Sequence, residues 1–242
     1  MIPPAAPAER RIFEDAETLA RGVADWMCKL ALAPPGVFAV CLSGGNTPRR
    51  LYEVLAEPPA ASRFPWERAH WFWCDERFVP HDDPQSNYGM ARAALFSRVP
   101  APEGNIHPIP TEGLSPDEAA RAYEATLERF HGGRALSPDR PLFHMTLLGI
   151  GEDGHTASLF PGEPGVDEAS RWAMPVHANS QTRITLTPRA LESSRDLAFV
   201  AAGAAKRAAV RRAQAGDRSL PAARIRPVGR LHWFTDRAAA PD

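Results

Sequence analysis

Apolar positions recur along the chain in two rhythms. Between residues 15 and 32, Ala16, Leu19, Ala20, Val23, Trp26, Met27 and Leu30 fall on one stripe at helical spacing, which predicts an amphipathic helix. VFAVCL at 37–42 is instead a short unbroken apolar run, the pattern of a strand buried in a parallel sheet. The same pattern returns at 69–74, 142–149 and 196–203, with shorter candidates at 172–177, 183–187 and 231–235. Punctuation between the runs predicts helices. Thr47-Pro48 reads as N-cap and first helical residue. Ser86 reads as the cap of a helix reaching about Ser97. Ser115-Pro116-x-Glu118 is a capping box whose helix stops at Gly132, and a helix follows at AAKRAAVRRAQA. Strands alternating with helices predict an α/β fold, a parallel sheet covered on both faces. In such sheets ligands gather at the carboxyl ends of strands. The loops at 43–47, 75–88, 149–161 and 203–207 are therefore the places to look for chemistry.

Composition narrows the possible functions. The chain has 242 residues, and its 28 basic and 29 acidic side chains nearly cancel. That balance gives no general attraction for nucleic acid or anionic membrane. No apolar run approaches the roughly 18 residues of a membrane span. MIPPAAPAERR has no apolar segment of a secretory signal. Residues 1–9 are expected to form a Pro/Ala-rich disordered arm, and 10–242 a single α/β domain. Cys28, Cys41 and Cys74 are odd in number, form no C-x-x-C, and sit in apolar runs. They read as core residues of a cytoplasmic protein. His70, His81, His107, His131, His144, His177 and His232 show no metal-ligand spacing, so no metal is expected. Only Lys29 and Lys206 among the basic residues are lysine. Lys29 falls on an exposed helix face, whereas Lys206 stands just after a strand and Gly203.

Two loops carry candidate chemistry. Ser43-Gly44-Gly45-Asn46-Thr47-Pro48 joins a strand to a helix, and its glycines let backbone N–H groups approach an anion. It lacks the Walker pattern, and a turn that merely needs glycine has the same sequence. Arg77, Arg183 and Lys206 lie at or near strand ends and can complete a phosphate site, although each alone also reads as a solvated surface charge. Gly149, Gly151 and Gly154 spell G-x-G-x-x-G after an apolar run. Three features argue against a dinucleotide turn there. No substantial helix follows, the acidic residue expected about 20 positions on is missing, and Asp153 would repel a pyrophosphate. His155 in that loop suits a general base. A serine nucleophile at Ser43 with Asp153 and His155 follows hydrolase chain order. However, Cys41 stands where the elbow needs glycine, and an acid and base two residues apart on one turn are poorly placed to form Asp–His–Ser in line.

Taken together, Ser43–Pro48, Asp75-Glu76-Arg77, Ser86-Asn87-Tyr88, Gly151–Pro161, Arg183–Thr187 and Gly203–Lys206 resemble the glucosamine-6-phosphate isomerase/6-phosphogluconolactonase family, from about residue 10 to residue 237. Within it they resemble the lactonase branch. The isomerases carry D-E-Y where this chain has Asp75-Glu76-Arg77, and a ring-opening Glu where this chain has Phe160. The resemblance implies a three-layer α/β/α, Rossmann-like, mostly parallel sheet of the NagB/RpiA/CoA-transferase-like type, without a bound dinucleotide or other cofactor. It implies hydrolysis of 6-phospho-D-glucono-1,5-lactone, with a sugar-phosphate isomerase as the alternative. It implies His155 as base, with Asp153 or Asp75 orienting it or the water. It implies phosphate or substrate binding by Ser43, Gly44, Gly45, Asn46, Thr47, Arg77, Asn87, Arg183 and Lys206. The implied partner is a small-molecule sugar-phosphate lactone, and a monomer is favoured.

Overall fold

The computed structural model describes residues 8–33 and 35–241. Nine strands are present among these residues: β1 (Glu9–Phe13), β2 (Phe38–Leu42), β3 (Ala69–Trp73), β4 (Asp75–Arg77), β5 (Phe143–Leu148), β6 (Ala173–Ala178), β7 (Gln181–Leu186), β8 (Ser194–Ala201) and β9 (Arg230–Asp236). The helices are α1 (Ala16–Leu32), α2 (Asn46–Leu55), α3 (Ala60–Arg63), α4 (Asn87–Ala94), α5 (Pro116–His131), α6 (Pro188–Glu192), α7 (Arg207–Gln214) and α8 (Pro221–Arg224).

Six strands form one sheet in the order β1-β9-β8-β5-β2-β3, and every pairing in it is parallel. Its central strands are the unbroken apolar runs: all five residues of β2 are buried. From β2 the chain moves outward to β3, then crosses back to place β5, β8 and β9 on the other side. The order therefore reverses between β2 and β5, and such a switch point opens a crevice at the strands' carboxyl ends.

The helices largely follow their sequence signals. In α1 the predicted stripe is buried at Leu19, Ala20, Val23, Trp26 and Met27, and Asp15 with Thr18 closes a capping box at its start. At α5, Ser115 and Glu118 form the expected capping box, and Gly132 ends the helix with φ 81°. Three boundaries differ. α2 begins at Asn46 with Gly45, not Thr47, in the cap position. α4 ends at Ala94, and a 3-10 turn covers Phe96–Arg98. A 3-10 turn at Ala204–Lys206 precedes α7.

Beside the expected mostly parallel sheet stands a second, smaller one that the sequence did not announce. β6 and β7 form an antiparallel hairpin, and β4 joins β7 antiparallel, giving a separate sheet in the order β4-β7-β6. The hairpin turns at Asn179 and Ser180, with φ 51° and 58°. Two left-handed residues suit the twist of a tight hairpin. Of the expected 1–9 arm, residues 1–7 lie outside the described residues, and Glu9 already opens β1.

Candidate active site

A cavity of about 370 Å³ opens at the β2/β5 switch point. Backbone forms one wall. Ser43 follows β2, and its N–H and C=O are both bonded to the buried Tyr52 hydroxyl of α2, at 3.1 and 2.7 Å. Gly45 then adopts φ 103°, a conformation open to glycine and costly for residues with a Cβ. No side chain caps α2, so its first N–H groups remain available beside the cavity. Gly44 is required for a different reason. A Cβ there would lie 1.8 Å from the Asn87 amide oxygen.

The opposite wall is built of side chains from the small sheet. Arg77 and Arg183 are directly opposed residues of β4 and β7, and both line the cavity. Like charges placed across a ladder repel unless an anion joins them. The Arg77 guanidinium donates to the Asn87 side-chain oxygen and to the Gln85 carbonyl. Arg183 keeps its buried Nε without a hydrogen-bond partner. Burial pulls the Arg183 guanidinium below its ordinary pKa; the Asp75 charge opposes this and Arg77 adds to it. Asp75 is buried, accepts from the Ser158 hydroxyl at 2.6 Å, and lies 3.4 Å from Asn87 Nδ2. Lys206 closes the rim after β8, with no ion pair among the described residues.

The glycine-rich loop after β5 supplies the third element. Gly151 N–H bonds to the His155 carbonyl at 2.9 Å, and Gly154 turns with φ 84°. This fold-back brings His155 Nδ1 to 2.6 Å from Asp153 Oδ1, which also accepts the His155 amide at 3.1 Å. Of the two candidate partners of His155, Asp153 bonds to the imidazole, whereas Asp75 bonds to Ser158. Partial burial disfavours the ionised form of Asp153. The His155 amide and imidazole outweigh that effect and hold its carboxyl below the usual aspartate range. Gly151 leaves room for this pair, because a Cβ there would meet His155 Nδ1 at 2.1 Å and Asp153 Oδ1 at 2.5 Å. Phe160 lies against the imidazole, ring centroids 4.8 Å apart, and the Arg183 guanidinium sits 5.7 Å over the same ring. No hydrogen bond joins Ser43 to His155 among the described residues. No regular helix opens after Gly154; the next helical turn is the 3-10 segment Pro164–Asp167.

The structure thus gathers Ser43, Gly44, Gly45, Asn46, Thr47, Asp75, Arg77, Asn87, His155, Arg183 and Lys206 around one cavity. Asp153 stands behind His155 rather than in the lining. Sequence reasoning missed Ser158 as the partner of Asp75, and missed the space that Gly151 leaves. Ser158 had a signal in its place within the Gly151–Pro161 motif, but its partner is 83 residues away in the chain.

With this geometry, the chain belongs to the family described as glucosamine-6-phosphate isomerases/6-phosphogluconolactonase, whose family model matches residues 14–233. It is 41% identical over 212 residues to a 6-phosphogluconolactonase of Synechocystis, covering 86% of each chain. A solved 6-phosphogluconolactonase from Thermotoga maritima superposes with a TM-score of 0.80 at 31% identity, over 95% of this chain and all of that one. A monomeric glucosamine-6-phosphate deaminase superposes with a TM-score of 0.81 at 18% identity, over 96% of this chain and 98% of that one, which shows a shared fold.

Proposed function

We propose that this protein hydrolyses 6-phospho-D-glucono-1,5-lactone to 6-phospho-D-gluconate, a step of the oxidative pentose phosphate pathway. One observation carries the chemistry: a basic cradle and a bonded Asp–His pair belong to the same cavity. With Nδ1–H donating to Asp153, the His155 Nε2 presents its lone pair to water. His155 takes the water proton as the water attacks the lactone carbonyl, a contribution of about 10²–10⁴-fold. The tetrahedral oxyanion collapses, the ester bond to the ring oxygen breaks, and the imidazolium returns its proton to that oxygen. Asp153 orients the imidazole and steadies its charged form. A backbone N–H of the cavity wall faces the developing oxyanion.

The phosphate binds at the far end of the sugar. Its partners are the N–H groups of Gly44–Thr47 around the start of α2, with Arg77, Arg183 and Lys206. Their binding energy holds the ring in place for attack. Asp75, fixed by Ser158 and Asn87, offsets the positive charge and is placed to accept a sugar hydroxyl. Phe160, which cannot transfer protons, lies beside His155 and favours hydrolysis over isomerisation.

Three free, buried cysteines suit a reducing compartment, and we read the protein as a cytoplasmic monomer. Among the described residues, no helix is long and apolar enough to cross a membrane. The test is acid release from freshly made lactone, with and without protein, after subtracting spontaneous decay. Accelerated release supports the assignment. Background release, or ammonia from glucosamine 6-phosphate, overturns it.

A further inference from the structure

Behind the charged wall of the cavity lies a carboxylate that this chemistry does not use. Glu76 is the middle residue of β4, and only 1% of it is exposed. Alternation along the strand turns Asp75 and Arg77 toward the cavity and Glu76 away from it. Its oxygens accept from the amides of Arg77, Asn87 and Tyr88 at 2.8, 2.7 and 2.8 Å. They also accept the Ser86 hydroxyl at 3.0 Å. Two of those amides are the first of α4, so the carboxylate sits at the positive end of that helix. Burial pushes the Glu76 carboxyl above its ordinary range while these donors pull it down.

What Glu76 gathers leads back to the cavity. Asn87, held at its backbone by Glu76, donates from its side chain to the Asp75 carbonyl at 2.8 Å. The same amide occupies the space beside Gly44 and accepts from the Arg77 guanidinium. Gln85, one residue ahead of the gathered segment, accepts Arg77 as well. The carboxylate therefore fastens the start of α4 to β4, and the fastened segment fixes a cavity cation against the glycine turn.

We propose that Glu76 is a positioning residue for the substrate-binding wall: it presets Arg77 and Asn87 without touching substrate. This rests on the assignment of Arg77 and Asn87 to substrate binding. A glutamine at 76 keeps the shape but turns an NH₂ group toward donors that need an acceptor. The segment then loosens, Asn87 leaves the Gly44 turn, and Arg77 loses its preset direction.

The test is a double-mutant cycle on lactone turnover and on inhibition by 6-phosphogluconate, comparing wild type, R77A, E76Q and R77A/E76Q. We expect R77A to raise KM and the product inhibition constant about tenfold or more. We expect E76Q to raise both about fivefold, with kcat within about threefold and an unchanged pH profile of kcat. In the R77A background, E76Q should add less than about twofold, because the effect runs through Arg77. Full additivity of the two changes overturns the proposal. So does an E76Q protein with a lower Tm but unaltered KM and product inhibition, the outcome for a purely structural carboxylate. If R77A itself leaves both constants unchanged, the substrate assignment falls and the proposal with it. If R77A acts and E76Q is silent, only the proposal falls. Should E76Q not fold, E76D decides: it keeps the charge one methylene short of its donors, and an unchanged KM and product inhibition constant would overturn the role.

Discussion

The two walls of the cavity solve one problem by different means. On the six-stranded side, the chain presents backbone: the Ser43–Thr47 turn, the open start of α2 and the folded loop at Gly149–His155. On the three-stranded side it presents charge, with Asp75, Arg77 and Arg183 carried on short antiparallel strands. Backbone N–H groups are fixed by the fold and need glycine to be reached. Guanidiniums are long and must be held by other side chains. The backbone wall therefore depends on glycines, and the side-chain wall on a network of hydrogen bonds. Removing parts from each wall should give different kinetic signatures.

The largest effect is expected at the junction of the two walls. His155→Ala should lower kcat by at least about two orders of magnitude while 6-phosphogluconate still binds. Stopped-flow acid release and product titration read the two halves; full turnover would remove His155 from the chemistry. Next comes the backbone side. Gly151→Ala places a methyl where the His155 ring and Asp153 carboxylate lie, so kcat should fall about tenfold or more with product affinity preserved. An equal loss in affinity would mean the whole cavity had shifted. On the charged side, Lys206→Ala should chiefly raise KM, by roughly tenfold, consistent with about 1.5–3 kcal/mol for a charged hydrogen bond reduced by solvent at the rim. An unchanged KM would contradict its part in binding phosphate.

The smallest effect concerns pH. Asp153 has a lowered carboxyl pKa in the folded protein, so its share of stability is complete above the ordinary aspartate range. That share disappears as pH falls through the lowered folded value. The side chain is 53% exposed, so after solvent screening this share is no more than about 0.5 kcal/mol. Chemical denaturation of wild type and Asp153→Asn should differ by a small constant amount at neutral pH and converge in acid. A gap that widened in acid would reverse the sign of the argument.

The same division explains what could be read from the sequence. The backbone wall was legible because its signals are local. Apolar runs announce β2 and β5, and Ser43-Gly44-Gly45 and Gly151–His155 declare turns where little but glycine fits. The cap of α2 slipped from Thr47 to Gly45 because no side chain does the capping. The charged wall was only half legible. Arg77 and Arg183 were singled out one at a time. Their opposition across a ladder depends on β4, three charged residues with no apolar period, pairing with a strand more than a hundred residues on. β1 was missed for a related reason: ERRIF is a mostly exposed edge strand that carries no alternation to read. Asp153 and Asp75 both stayed open as partners of His155, because the choice depends on the fold-back at Gly154, which no local pattern announces.

The most direct measurement is a crystal structure with 6-phosphogluconate bound. The account predicts the phosphate on the Gly44–Thr47 amides with Arg183 and Lys206, and the C1 carboxylate within about 3 Å of His155 Nε2. A phosphate held elsewhere, or a C1 carboxylate directed away from His155, would contradict it.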